Sequence, residues 1–243
     1  MTEYDASFMD YTSDASRVAA DVIAAHLSRL IAPTSVLDVG CARGVWLAAW
    51  QRAGVRDIAG VDGEYVDRTR LHILSSAFSA VDLAHPFRLG REFDLVQSLE
   101  VAEHLEPECA ESFVASIVAH ARTFVLFSAA VPGQGGERHR NERALEYWRE
   151  VFRRHGFIPA DVIRERIQLN REIPPWYRFN TLLYVRAADS HIISAQVRAA
   201  LVPPGTPLHD FSTPLYRIRK FALRRIPGPL VTLLARIKAR LWR

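Results

Sequence analysis

The chain has 243 residues, of which 49% are hydrophobic and 24% charged, and a formal net charge of +4. Its two cysteines, Cys41 and Cys109, are too few for a disulfide framework or a zinc-knuckle pattern, and no apolar run approaches the roughly 18 residues of a membrane-spanning helix. The first residues also lack the basic-then-apolar order of a signal peptide. We therefore expect a cytoplasmic protein with one α/β domain and an appended segment.

The first predicted elements are a helix, and then a strand, a turn and a second helix. Residues 14–31 carry apolar side chains at helical spacing. Residues 35–50 begin with a short apolar run, turn between Gly40 and Gly44, and continue as an apolar helical run. Glycines at such a turn allow positive φ and the close approach of a ligand, and the first amides of the helix point into the same space. This stretch predicts a site for a nucleotide-like ligand.

The turn does not fit the two commonest phosphate-binding patterns. A dinucleotide site needs G-x-G-x-x-G, but counting from Gly40 the next two glycine places hold Ala42 and Val45. No P-loop motif occurs anywhere in the chain. The carboxylate of Asp38, just before the turn, suits a ligand with positive amino and sulfonium groups better than a pyrophosphate. These residues indicate S-adenosylmethionine.

Residues 37–44 resemble the first motif, D-x-G-x-G-x-G, of class I S-adenosylmethionine-dependent methyltransferases. Ala42 stands at the middle glycine, and we expect its methyl group to be tolerated because its φ stays negative. The resemblance extends over about residues 11–186. It implies a Rossmann-like, doubly wound α/β fold with a seven-stranded sheet, mostly parallel with an antiparallel final strand. It also implies that the methyl donor contacts Asp38, Gly40, Cys41, Ala42, Gly44 and Trp46.

Two further predicted strands also end in an acid. Asp62 ends the second strand, 22 residues after Gly40, where a carboxylate can accept hydrogen bonds from both ribose hydroxyls. Asp82 ends the third strand, and the resemblance implies that it contacts adenine together with Leu83. An N-terminal aromatic residue closes over the donor in related enzymes, so Tyr11 is a candidate; packing on the first helix is the alternative. The same resemblance adds Gly63, Ser98, Leu99 and Glu100 to the donor-binding residues.

The fourth and fifth predicted strands lead to a second group of residues, whose side chains are suited to catalysis or metal binding. Residues 93–101 run into Glu100–His104, which spells E-x-x-E-H, and strand 123–130 runs into a polar, glycine-rich loop at 131–142 that contains His139. Ligands of open α/β sheets bind beyond the carboxyl ends of the strands, where these segments must lie. This region resembles small-molecule O-methyltransferases and bacterial enzymes that modify sugars or polysaccharides.

An alcohol acceptor must lose its proton, so a base or a metal ion is expected. His104 and His139 are the candidate catalytic residues, since imidazole titrates near neutral pH. E-x-x-E-H with a later histidine also resembles the divalent-metal site of ubiquinone-pathway and small-RNA 2′-O-methyltransferases. That resemblance implies Mg²⁺ or Mn²⁺ held by Glu100, Glu103, His104 and His139. In the alternative, Glu100 contacts donor or acceptor directly, and the other two residues of the motif cap the next helix.

The later part of the chain completes the predicted domain, for which we expect the bounds 1–202. The pattern predicts a helix over 147–155, ended by Gly156, and strands over 161–167 and 176–185.

Residues 203–243 form a basic segment, which we call the tail. Residues 211–243 hold nine of the 31 Lys and Arg residues and no acid. Residues 1–210 therefore have 22 basic and 27 acidic residues, which gives them a net charge of −5. Apolar and basic side chains recur at helical spacing on both sides of Pro227–Pro229. Two basic amphipathic helices suit an anionic membrane, and we expect peripheral contact at its inner face through residues 211–243. The alternative, in which they dock on the body or on a partner, is equally open.

These observations together predict an O-methyltransferase acting on a small-molecule or sugar acceptor. An RNA 2′-O-methyltransferase and a non-catalytic, donor-binding scaffold are the alternatives. Nucleic acid is not the expected partner, because the body of the chain is net negative and has no basic groove interleaved with aromatic residues. No sequence feature sets the oligomeric state.

Overall fold

The computed structural model describes the backbone of residues 6–241 and the side chains of residues 15–237. The strands are β1 (Ser35–Val39), β2 (Asp57–Asp62), β3 (Phe78–Ala80), β4 (Phe93–Leu99), β5 (Ala121–Ser128), β6 (Phe157–Ala160) and β7 (Leu182–Arg186). The helices are α1 (Ala6–Ile31), α2 (Val45–Arg52), α3 (Ala110–Val118), α4 (Leu145–Arg154), α5 (Arg164–Ile167), α6 (Pro175–Asn180), α7 (Ala195–Ala199), α8 (Pro214–Leu223) and α9 (Gly228–Leu241).

The seven strands form one sheet in the order β3-β2-β1-β4-β5-β7-β6. The strands β1 to β5 are parallel to one another, whereas β7 is antiparallel to both β5 and β6. The predicted fold, a mostly parallel seven-stranded sheet with an antiparallel final strand, is confirmed. In the sheet, β2 lies on one side of β1 and β4 lies on the other side. The carboxyl ends of β1 and β4 therefore flank the switch point at which ligands of such sheets bind.

The sheet separates two hydrophobic cores, because successive side chains of a strand point to opposite faces. In β1, Val36 packs in the core that contains α1 and α2, and Leu37 packs in the core that contains α3 and α4. A buried hydrogen bond of 2.7 Å from Trp50 Nε1 to Gln97 Oε1 ties α2 to β4. This bond fixes the helix that follows the glycine turn.

The predicted strand over residues 161–167 is wrong. The strand lies earlier, at β6, and residues 164–167 form the short helix α5. The cause is Arg164, which is fully buried and pairs with the Asp161 carboxylate at 2.6 Å, three residues back. Residues three apart share a face on a helical turn but lie on opposite faces of a strand, so this buried pair favours the turn.

The predicted strand over residues 176–185 is only half correct. Its first part is the helix α6, with Pro175 at the position where proline favours helix initiation, and its second part is β7. The predicted helix over 147–155 corresponds to α4, and the predicted helix over 14–31 begins earlier, at the start of α1.

The tail forms two helices, α8 and α9, that lie against the glycine-rich loop 131–142. Three tail arginines donate to this loop: Arg219 to the Gln134 carbonyl at 2.9 Å, Arg224 to the Pro132 carbonyl at 2.9 Å, and Arg236 to the Glu137 carboxylate at 2.8 Å. These contacts favour the predicted docking on the body, and they do not test the predicted membrane contact. Among the described residues no helix is both long and apolar enough to cross a bilayer.

Candidate active site

A cavity of about 1070 Å³ opens at the carboxyl ends of the central strands. Its walls come from the turn after β1, the ends of β2 and β4, the loop 131–142, α6 and the two tail helices. Ligand cavities in proteins measure roughly 300–1,000 Å³, so the volume suits two ligands side by side.

The glycine turn forms one end of the cavity. Gly40 has φ +86° and its amide donates to the Val61 carbonyl at 2.8 Å. A Cβ atom on Gly40 would lie 2.4 Å from Cγ2 of Val101, so this position has no space for a side chain. Gly44, with φ +79°, is similarly restricted by Ile73. The turn is thus packed so that bare backbone faces the cavity.

The expectation that Ala42 keeps a negative φ is wrong, because its φ is +47°. Its amide donates to Oδ2 of Asp62 at 2.7 Å, and this charge-assisted bond offsets the roughly 1–2 kcal/mol cost of a left-handed alanine. The turn therefore keeps its glycine-like conformation although the middle glycine is replaced.

Asp62 is buried at the end of β2, and its carboxylate accepts three hydrogen bonds from within the protein. Besides Ala42, it accepts from the Gly63 amide at 2.7 Å and from the Tyr65 hydroxyl. Burial raises the pKa of Asp62, and these three hydrogen bonds offset part of that rise. The Tyr65 hydroxyl thus occupies one of the acceptor oxygens that the sequence analysis assigned to a ribose.

Asp38 lies beneath the turn rather than in the cavity wall. Burial raises its pKa to about 7, the Gln97 side chain offsets part of the rise, and the Asp62 charge adds to it. Its Oδ2 atom is buried and has no hydrogen-bond partner among the described residues. In the free protein this carboxyl group is therefore half protonated near neutral pH.

The E-x-x-E-H residues lie at the other end of the cavity. Glu100 follows β4 with φ +58°, and its Oε2 accepts a 2.6 Å bond from Gln134. Glu103 and His104 belong to a 3₁₀ turn of their own, and α3 begins without a side-chain cap. The alternative in which these two residues cap the next helix is therefore wrong.

Glu103, His104 and His139 form a group that suits a cation. Their ligand atoms all lie within 4.8 Å of one another, and the two imidazole rings are 5.0 Å apart and nearly perpendicular. Burial raises the pKa of Glu103 well above its usual range, and the Glu100 carboxylate adds to the rise. Burial also lowers the pKa of His104 to about 3, so its ring is neutral and offers a lone pair. Glu100, predicted as a fourth ligand, is outside this group of three.

Glu142 is a site residue that the sequence reasoning missed. Its carboxylate accepts from the Gly133 amide at 2.7 Å, the Gly135 amide at 2.9 Å and Nδ1 of His139 at 2.9 Å. Burial alone would raise the pKa of Glu142, but these bonds outweigh it and hold the pKa below its usual range. The carboxylate thus fixes the loop and orients the His139 ring through Nδ1.

Most of the predicted site residues meet in this cavity. The predicted residues that line it are Gly40, Cys41, Ala42, Trp46, Asp62, Leu83, Leu99, Glu100, Glu103, His104 and His139. Those that do not line it are Asp38, Gly44, Gly63, Asp82 and Ser98. The Asp82 carboxylate is exposed and accepts instead from the Ala84 amide at 3.1 Å. The side chain of Tyr11 lies outside the described residues.

The cavity also has walls that the sequence reasoning did not assign. Tyr177 of α6 contacts the Trp46 ring edge-on at 5.2 Å, and Tyr216 of α8 lies deeper in the wall. The Pro-Pro-Trp-Tyr run at 174–177 is a signal that could have indicated an aromatic wall. For α8 and α9 no local signal exists, because their place in the wall depends on how the tail folds back.

Comparison with known families and structures gives a consistent result. The family described as "Methyltransferase domain" matches residues 11–169. No curated protein sequence gives a significant match to the chain.

Several solved structures share the fold. The magnesium protoporphyrin IX methyltransferase ChlM from Synechocystis PCC 6803, with bound SAH, is 20% identical; the alignment covers 71% of this chain and 84% of that one, with a TM-score of 0.52. CalS10, a SAM-bound amino pentose methyltransferase from Micromonospora echinaspora, is 15% identical over 76% and 98% of the two chains, with a TM-score of 0.55. An O-methyltransferase family protein from Burkholderia thailandensis is 14% identical over 74% and 58%, with a TM-score of 0.56.

Substituting Gly40 tests how tightly the turn is packed. Gly40→Ala should lower the free energy of unfolding by about 1–2 kcal/mol for the positive φ and by a further ~1–3 kcal/mol for displacing Val101. Gly205→Ala is the matched control, because Gly205 has φ +82° and nothing within 4 Å of its Cβ position. Urea denaturation measures both variants, and equal losses would show that the turn has room for a side chain.

Asp38→Asn tests the buried carboxyl group. The folded-state pKa of about 7 lies above the unfolded value, so ionisation of Asp38 destabilises the free protein progressively as pH rises from about 4 to 7. Asparagine removes this effect, and the stability of the variant relative to wild type should rise between pH 5 and pH 8 by about 2–3 kcal/mol.

The exposed Asp82→Asn serves as the control for this experiment. In urea denaturation at pH 5 and at pH 8, the free energy of unfolding of Asp82→Asn should differ from that of wild type by the same amount. A constant difference for Asp38→Asn as well would contradict the burial argument.

Proposed function

The chain belongs to the methyltransferase-domain family, and from this premise we propose that it transfers the methyl group of S-adenosylmethionine to a hydroxyl oxygen of a small-molecule or sugar acceptor. The family match confirms the prediction of a methyltransferase, which is an enzyme rather than a scaffold. We further propose that Glu103, His104 and His139 hold Mg²⁺ or Mn²⁺ beside the acceptor.

The donor half of this proposal is supported by the end of the cavity at the glycine turn. The bare backbone at Gly40 allows close approach of the methionine part, and both Asp62 and Leu83 line the cavity. In this proposal Asp62 accepts from the ribose hydroxyls and Leu83 packs against adenine. The raised pKa values of Asp38 and Asp62 mean that a positive sulfonium and ammonium group would relieve an existing electrostatic cost.

The acceptor half is carried by one observation: the three-residue group lines the same cavity as the glycine turn. Two imidazole nitrogens and a carboxylate are donors that Mn²⁺ accepts, and Mg²⁺ accepts the carboxylate. Oε2 of Glu103 is buried with no hydrogen-bond partner among the described residues, so a bound cation would offset the cost of burying it. The residues therefore fit a divalent ion.

In the proposed reaction the acceptor oxygen attacks the methyl carbon from the side opposite sulfur. The new C–O bond forms as the C–S bond breaks, its electron pair remains on sulfur, and the hydroxyl proton is released to water. A bound divalent cation would supply a lower pKa for the acceptor hydroxyl. The protein aligns the two ligands: the glycine turn holds the donor, and the His104–His139 side of the cavity holds the acceptor.

Alanine substitutions separate the two halves of the site. His104→Ala and His139→Ala should each reduce methyl transfer by at least about 100-fold, because each removes a ligand of the cation. The affinity for S-adenosylmethionine, measured by calorimetry, should stay within about twofold, since neither ring lies at the glycine turn. His191→Ala, at an exposed histidine outside the cavity, is the control. Unchanged turnover in both variants would remove this group from the reaction.

Metal removal distinguishes the cation from a plain imidazole base. Treatment with a chelator followed by gel filtration should abolish turnover, and added Mn²⁺ or Mg²⁺ should restore it. If the chelated enzyme keeps full activity while His139→Ala remains inactive, the ring acts as a base and the metal proposal fails.

Glu142→Gln tests whether Glu142 positions His139. The amide keeps the shape but lacks the negative charge that orients the ring through Nδ1, so kcat should fall about 10–100-fold, as is usual for the outer partner of a metal-binding histidine. The dissociation constant of the donor should not change. Added Mn²⁺ at high concentration should rescue part of the activity. A loss of folding stability that accounts for the whole effect would contradict a positioning role.

A further inference from the structure

The inner faces of α8 and α9 form the wall of the cavity opposite the sheet. Tyr216, Arg219 and Leu223 of α8 line it, and so do Val231 and Leu234 of α9. The Tyr216 hydroxyl is buried there without a hydrogen-bond partner among the described residues. A polar group of a ligand bound against this wall would offset the cost of the unpaired hydroxyl.

The outer faces of the same helices carry apolar side chains that nothing covers. Ten large hydrophobic residues of the described chain are exposed, and seven of them lie in the tail. We call these seven the apolar tail surface: Leu215, Ile218, Phe221, Leu230, Leu233, Leu234 and Ile237. Their exposed fractions run from 45% to 77%. Isolated exposed hydrophobic residues are ordinary, but such a concentration within two short helices marks an interaction surface.

Charge indicates what covers this surface. Residues 211–243 carry nine cations and no acid. Three of these cations, Arg219, Arg224 and Arg236, bond to the loop 131–142. Among the described side chains, Arg217 and Arg225 are exposed, and Arg225 bonds only locally, to the Phe221 carbonyl of α8. This positive surface favours a partner with negative charge. Apolar residues interspersed with cations on short helices are the pattern of a helix that lies in the interface of an anionic bilayer, where each cation contributes about 1 kcal/mol.

The apolar tail surface reaches the mouth of the cavity. Leu234 lines the cavity and is also 52% exposed, so one side chain belongs to both surfaces. An amphiphile held in a bilayer against this surface could therefore place its head group in the cavity while its apolar chain stays in the lipid.

From this continuity we infer that α8 and α9 dock on an anionic lipid bilayer, and that the acceptor is a membrane-held amphiphile whose hydroxyl-bearing head group enters the cavity past Leu234. The substrate half of this inference rests on the proposed methyl transfer, whereas the docking half does not. The sugar or other polar head lies against the wall that contains Tyr216, and the lipid part never leaves the membrane.

Vesicle sedimentation of the full chain tests the docking. The wild type should bind vesicles of phosphatidylcholine mixed with phosphatidylglycerol at least about tenfold better than vesicles of phosphatidylcholine alone. Leu230→Glu/Leu233→Glu should lose at least about tenfold in that binding. Leu169→Glu, at a leucine 86% exposed outside the tail, is the matched control and should bind as wild type does. Equal binding of the double variant, or a dimer in ultracentrifugation that the double variant dissociates, would overturn the inference.

Methyl transfer to lipid extracts tests the substrate class. With methyl-labelled donor and vesicles made from bacterial lipid extract, the label should enter the organic phase, and Leu230→Glu/Leu233→Glu should reduce this at least about tenfold while its affinity for the donor is unchanged. Label found only in water-soluble product would overturn the amphiphile assignment. Absence of donor binding in the wild type would instead reject the proposed function and leave the sedimentation result standing.

Discussion

The structure depends on carboxylates buried at the carboxyl end of the sheet. Asp38, Asp62 and Glu103 are each at most 4% exposed, and burial raises the pKa of all three. Burying a carboxylate is costly unless a cation or several hydrogen bonds compensate. In the free protein only Asp62 has its full set of hydrogen bonds, and the other two keep an oxygen without a partner among the described residues. In the proposed function positively charged ligands would offset this cost, a sulfonium near the glycine turn and a divalent ion at the other end of the cavity.

Backbone strain is concentrated in the same place. Among the described residues, four that are not glycine have a positive φ, and three of them, Ala42, Glu100 and Arg138, line the cavity. Each such residue costs of order 1–3 kcal/mol and persists because its surroundings hold it. Here the holding contacts are visible: the Asp62 carboxylate binds the amide of Ala42, and Ser128 accepts a 3.0 Å bond from the amide of Glu100. Strain and buried charge thus occur together where two ligands would lie side by side.

Local pattern was enough to predict the strands β1 to β5 and the glycine turn, because apolar runs and glycine spacing report directly on backbone conformation. It failed where a distant contact decides the local structure. The helix α5 forms because Arg164 is buried against Phe179 and Asp161, and Ala42 takes a positive φ because Asp62 binds its amide. Glu142 could not be singled out, since its role depends on how the loop 131–142 folds around it. The place of α8 and α9 over the cavity depends likewise on bonds to residues more than 80 positions away.

The account depends on buried, partly protonated carboxyl groups at and beneath the glycine turn whose charge favours a cationic donor. Titration calorimetry of S-adenosylmethionine into the full chain at pH 7, in two buffers with different ionisation enthalpies and without added metal, tests it most directly. The positive donor should stabilise the ionised form of Asp38, whose pKa of about 7 leaves it half protonated, so binding should release a fraction of a proton and the two buffers should give different heats. Equal heats in the two buffers, or no binding heat at all, would contradict the account.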